Sequence, residues 1–185
     1  MSRQTGRLAL TPADPLLAPE RDRICSELTA LGLLGGAIHN VFDAFHTGQR
    51  FPMLVTFAGC SVQLETAAGG KGELPPIHIR IDGPSPGPRL WHGRNTRPPR
   101  CPNCRALLRD WRARIRAGTE FLACPQCSTC QAPTAWDWRG YGGAGHLFVC
   151  IEGVFPGEAM PTHALMQSLR DLEGYDWRHF SIQDD

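Results

Sequence analysis

Cys101-Pro102-Asn103-Cys104 and, after nineteen intervening residues, Cys124-Pro125-Gln126-Cys127 are the stretches around which this chain is read. Two residues between cysteines let both sulfurs of a tight turn reach one ion. Two such turns supply the four thiolates of a tetrahedral site. Zinc suits that donor set, and iron in a sulfur cage is the alternative, since both accept four thiolates in tetrahedral geometry. Four protein ligands leave no open position for a substrate, so the site reads as structural. A second frame exists, because Cys127-Ser128-Thr129-Cys130 is also a Cys-x-x-Cys. The Cys-Pro-x-Cys match between the knuckles favours Cys101, Cys104, Cys124 and Cys127 as ligands and leaves Cys130 as a spare thiol.

Working outward, extended segments flank the knuckles on both sides. Residues 77–82, Ile77-His78-Ile79-Arg80-Ile81-Asp82, alternate strictly and predict a half-buried strand. Residues 51–60 predict another, with Phe51, Met53, Val55 and Phe57 on one face. Residues 146–155 are an apolar strand, and 177–182 a final short one. Ile24, Leu28 and Leu31 recur at helical spacing within 20–34, and Gly35-Gly36 is a stop signal. Pro161-Thr162 opens a second helix, with Leu165, Met166, Leu169 and Leu172 on one face and Gly174 past its end. Residues 37–42 are left unassigned. The expected fold class is α+β: a small antiparallel sheet with two helices and an inserted four-cysteine ribbon. The expected divisions are a flexible tail at 1–19, the α+β domain at 20–97 and 133–185, and the insertion at 98–132. Strands 51–60, 77–82 and 146–155 are expected to form one sheet across the insertion, which should then be removable.

From Arg100 to Cys130 the chain resembles the zinc-ribbon superfamily. That resemblance implies a metal-stabilised ribbon and no particular function, since ribbons serve transcription, translation and docking alike. Val154-Phe155-Pro156-Gly157-Glu158-Ala159-Met160-Pro161, followed by a helix and Trp177, resembles the C-terminal part of small proteobacterial zinc-ribbon proteins.

Composition narrows the function classes. The 185 residues carry a net charge of +1, so no whole-molecule field commits them to nucleic acid or membrane. No apolar stretch is long enough to span a bilayer. No signal-peptide core precedes the first helix, so a cytoplasmic protein is expected. The bias to Arg over Lys, with much Ala, Gly and Pro, suggests a bacterial genome of high GC content. Four of the eight cysteines lie in the knuckles, and Cys25, Cys60 and Cys150 sit in apolar runs as buried thiols do.

Arginines crowd the region between Arg89 and Arg116, where Asp110 is the one acid. Arg105, Arg109, Arg112 and Arg116, with Trp111 among them, could present a basic face to an acidic protein or to phosphates. A solvated surface, the genomic bias to Arg, and pairing with the acidic C-terminal segment are the plainer readings. Trp136, Trp138 and Tyr141 form an aromatic loop. It is either a binding platform, with Trp138 as an anchor, or a flap that covers the junction between ribbon and domain. Catalytic signatures are thin. Gly69-Gly70-Lys71-Gly72 lacks the spacing of a P-loop. His92 is not followed by the acid of a zinc deaminase. His39, His46 and His78 are the one set around which an enzyme site could gather. The expectation is a non-enzymatic zinc-binding protein whose basic ribbon docks on a macromolecule, a protein ahead of nucleic acid, with no membrane and no small-molecule substrate.

Overall fold

The computed structural model describes residues 6–58 and 74–184. Cys60 and the Gly69–Gly72 stretch read above lie outside them. In chain order the elements are β1 (Gly6–Pro12), α1 (Arg21–Ala30), β2 (Leu34–Ala37), β3 (Ala44–Thr47), α2 (Phe51–Leu54), β4 (Val55–Phe57), β5 (His78–Asp82) and β6 (Arg89–His92). Then come α3 (Trp111–Arg116), β7 (Leu122–Ala123), β8 (Cys130–Gln131), β9 (Gly142–Gly145), β10 (Phe148–Glu152), β11 (Ala159–Pro161), α4 (His163–Glu173) and β12 (Trp177–Gln183). Single 3₁₀ turns at Pro133–Ala135 and Arg139–Tyr141 precede β9.

The fold is α+β. Six strands make the main sheet in the order β12-β1-β10-β5-β3-β2, and β4–β11, β6–β9 and β7–β8 are separate antiparallel pairs. The alternation at 77–82 does what it promised. Ile79 and Ile81 are fully buried and pair with Ile151 and Val149 across the β5–β10 register. Leu8 and Leu10 of β1 lie on the same face, and α1 and α4 cover it with Ile24, Leu28, Leu165 and Leu169. Each such side chain contributes about 1.5–3 kcal/mol on burial. Helix α4 starts where Thr162 accepts a hydrogen bond from Leu165 N (3.3 Å) and stops at Gly174, whose φ of 75° closes the last turn.

Residues 6–12 correct the flexible-tail reading. They form an interior strand of the sheet, paired to β10 on one side and to the edge strand β12 on the other. Both faces of β1 are covered: Leu8 and Leu10 by helices, Ala9 by Phe148, Cys150 and Phe180. A strand buried on both sides loses the polar alternation by which strands are recognised. Residues 51–58 are a second correction. Phe51 to Leu54 are helical, and only Val55 to Phe57 extend, pairing with β11 outside the main sheet. Met53, expected on the buried face, is exposed. Helix α1 ends at Ala30, before Gly35 and Gly36, which lie within β2.

Behind the sheet, on the face away from the helices, Trp91 of β6 stacks on Phe148 with ring centroids 4.3 Å apart. Strand β6 pairs with β9, so this small ribbon spans the chain on either side of the cysteine segment. Among the described residues no helix is long and apolar enough to cross a membrane.

Candidate metal centre

The two cysteine turns have the same backbone wiring. In the first, Arg105 N donates to Cys101 O (3.0 Å) and Cys101 N to Ala106 O (2.8 Å). In the second, Ser128 N donates to Cys124 O (3.1 Å) and Cys124 N to Thr129 O (2.8 Å). Pro102 and Pro125 follow the first cysteine of each turn, where a fixed φ starts the turn. To close it, Arg105 and Ser128 take left-handed conformations, with φ of 65° and 58°. Neither is glycine, so each carries a steric cost of roughly 1–2 kcal/mol.

The four sulfurs of Cys101, Cys104, Cys124 and Cys127 lie within 4.8 Å of one another. Cys101 Sγ is 3.6 Å from Cys127 Sγ, and Cys104 Sγ is 3.5 Å from Cys124 Sγ. Ligands about 2.3 Å from a tetrahedral metal are separated by about 3.8 Å. The donor set and its spacing therefore fit one thiolate-bound ion. Cys130 is exposed and stands in β8 opposite Ala123, outside the group. Among the described residues no other cluster of three or more His, Cys, Asp or Glu gathers in this way.

The electrostatics also call for a cation. Thr129, through its hydroxyl and its amide, holds the Cys127 thiol down to about 5. The Ala106 amide favours the Cys104 thiolate, yet desolvation and the neighbouring sulfurs outweigh it and push that thiol up to about 12. Four sulfurs this close cannot all ionise unless a positive ion sits among them.

The centre is joined to the sheet by an aromatic cluster. Cys101 and Cys124 are buried together with Leu108, Trp111, Leu122, Trp136 and Trp138. Trp111 and Trp138 meet edge to face at 5.0 Å, and Trp138 Nε1 donates to Pro133 O (2.8 Å). This corrects two partner-binding expectations, because Trp111 and Trp138 are 2% and 1% exposed and cannot anchor anything outside the molecule. The aromatic loop is the flap over the junction, since its tryptophans bury area between module and sheet.

Arg112 is a third correction. Its Nη2 donates to the carbonyls of Gly93 (2.8 Å), Arg94 (3.0 Å) and Thr96 (3.3 Å), so it clamps α3 to the 93–97 loop. Arg105 is exposed but pairs with Asp137 at 2.9 Å. Arg114 pairs with Asp110 and donates to Ala123 O. Arg109 and Arg116 are exposed and make no ion pair among the described residues. The acidic C-terminal segment is engaged elsewhere: Asp184 and Glu152 with Arg7, Asp176 with Arg170. His46 and His78 stand on adjacent strands β3 and β5, and His39 lies outside the strands between β2 and β3. His78 Nδ1 donates to Pro75 O (3.1 Å), and burial pushes its pKa down.

Comparison with protein-family models, curated proteins and solved structures returns no match, so the centre is read from its own geometry.

Proposed function

We propose that this is a non-enzymatic zinc-binding protein whose four-cysteine ribbon docks on a partner protein. The observation that carries the zinc reading is the closed set of four sulfurs with matched turns. Four protein thiolates complete a tetrahedral shell, so an ion held there stabilises the module and has no position left for substrate. Zinc fits the absence of any redox requirement in a structural role, and four reduced thiolates suit a reducing compartment such as the cytoplasm.

The docking reading rests on what the module leaves outside once its tryptophans are buried. Phe121 is 52% exposed and Leu107 37% exposed, and Arg109 and Arg116 extend from the same module. Aromatic and arginine side chains are the types enriched in protein interfaces. Zinc content is tested by elemental analysis of protein purified without chelator, with one zinc per chain expected. Iron in its place would replace the metal assignment. Docking is tested by cross-linking the native protein in its host and repeating the experiment with Phe121→Ala and Arg116→Ala. Loss of a specific cross-linked protein in both variants, at unchanged zinc content, is the expected result. An unchanged cross-link pattern would overturn the docking reading.

A further inference from the structure

We infer that Asn103 and Thr129 form a hydrogen-bond relay that positions Cys127 as a metal ligand and shields it, so that the two half-buried sulfurs of the centre are unequal. The inference rests on the zinc reading above and concerns how firmly the ion is held and where the centre is open to attack.

Cys101 and Cys124 are buried, which leaves Cys104 and Cys127 as the ligand sulfurs nearest to solvent. The backbone treats these two alike. The Ala106 amide reaches the Cys104 sulfur, and the Thr129 amide reaches the Cys127 sulfur. Ala106 and Thr129 are also matched in the turns, since each carbonyl accepts from the first cysteine of its own knuckle. The side chains break the match. Thr129 Oγ1 lies 3.2 Å from Cys127 Sγ, whereas Ala106 has no hydroxyl to offer Cys104.

The direction of the relay follows from its chemistry. A thiolate that binds a metal carries no proton and can only accept, so the Thr129 hydroxyl must donate to it. That hydroxyl has a single proton. Asn103 Nδ2 donates to Thr129 Oγ1 (3.2 Å), which occupies the oxygen from the other side and leaves its proton for the sulfur. Asn103 belongs to the first knuckle and Thr129 to the second, so the relay also ties the knuckles to each other. Groups that hydrogen-bond a metal's ligands orient those ligands and tune how tightly they bind.

In the loaded centre all four sulfurs are thiolates, and ionisation no longer separates them. Hydrogen bonding does. Cys127 accepts from an amide and a hydroxyl, Cys104 from an amide only. The extra donor draws on the lone pairs that would otherwise attack an electrophile, so Cys104 is the sulfur that a soft carbon electrophile reaches first. With iodoacetamide, the Cys104 lone pair forms the new S–C bond and iodide leaves with its electron pair. The neutral thioether left behind is a poor ligand, and the first knuckle loses one of its two anchors.

The test uses the metal-loaded full chain carrying Cys130→Ser, which removes the exposed thiol outside the centre. Zinc transfer to a chromogenic chelator and the sites of iodoacetamide labelling, mapped by mass spectrometry, are read on the same samples. Cys104 should be labelled several times faster than Cys127. Thr129→Val, which keeps the shape and removes the hydroxyl, should speed zinc transfer about tenfold and bring the two labelling rates within twofold of each other. Thr129→Ser restores the donor and should restore both readouts. Asn103→Ala should speed transfer about threefold when Thr129 is present, the size expected of one exposed hydrogen bond. Combined with Thr129→Val it should add nothing, because the two residues act in series. If the Val variant fails to fold, the labelling order in the parent and the Asn103→Ala variant still decide. Metal absent from the parent protein would overturn the zinc reading and the relay with it. With metal bound, equal labelling of Cys104 and Cys127 in the parent, a Val variant that behaves like the parent, or an Asn103→Ala effect that persists beside Thr129→Val would overturn the relay alone.

Discussion

At the residue scale, the most informative positions are those where chemistry and backbone disagree. Ser128 and Arg105 hold left-handed conformations at equivalent points of the two knuckles. Relief of that strain is worth roughly 1–2 kcal/mol, and glycine gives back about 0.4–1 kcal/mol through the unfolded chain. Ser128→Gly is therefore expected to stabilise the metal-loaded protein by about 0.5–1 kcal/mol, read as a melting temperature higher by a few degrees; a lower one would refute the strain argument. Glu152 is informative for a different reason, its burial. Burial lifts its pKa above the ordinary carboxylate range despite Arg7 and Arg80. Its folded pKa exceeds its unfolded one, so its contribution to stability is fullest below pH 4.5 and is lost as pH rises through the folded pKa. Glu152→Gln is expected to raise the urea midpoint relative to wild type more at pH 7 than at pH 4. A difference independent of pH would show that the carboxyl does not titrate in this way.

At the element scale, helix α3 and the aromatic flap bind the cysteine module to the rest of the chain. Trp138→Ala removes a side chain packed on Trp111 and is expected to cost about 3–5 kcal/mol. Arg112→Ala breaks the clamp of three carbonyl bonds and is expected to cost about 1.5–3 kcal/mol. Arg109→Ala, fully outside, should change stability by less than about 0.5 kcal/mol. Urea denaturation of the three variants checks that ranking, and similar costs for Arg109 and Arg112 would contradict the clamp. Replacing 98–132 by a linker is now expected to expose Trp136, Trp138 and Leu90 and to leave a protein that unfolds at lower temperature than wild type.

At the scale of the whole molecule, the metal centre is coupled to the sheet edge. Arg112 holds the 93–97 loop, and that loop holds β12: Arg94 N donates to Gln183 O (2.8 Å) and Asn95 Nδ2 to Ser181 O (2.9 Å). Gly93 lies so close to Gln183 that a side chain there would collide with the strand. Metal removal by a chelator should thus speed amide exchange in 100–131, in 93–97 and at the C-terminal end of β12. Strands β5 and β10, whose partners lie in the helix-covered core, should keep their protection. Hydrogen-exchange mass spectrometry reads all of these regions, and an effect confined to 100–131 would mean that module and sheet are uncoupled.

The local signals survived folding because they are local. Cys-Pro-x-Cys turns, the Ile79/Ile81 alternation, and the Thr162 and Gly174 ends of α4 need only their neighbours in sequence to act, and each stands as read. The tertiary structure alone decided which residues face solvent and which strand lies where. Residues 6–12 carry almost no pattern because both faces are covered, and only pairing with β10 and β12 makes them a strand. Trp111, Trp138 and Arg112 read as a binding face because aromatic and arginine side chains serve interfaces inside a molecule as well as between molecules. Contacts from a separate segment, Gly93 and Thr96 on Arg112, and the burial of both tryptophans in one cluster turned that face inward.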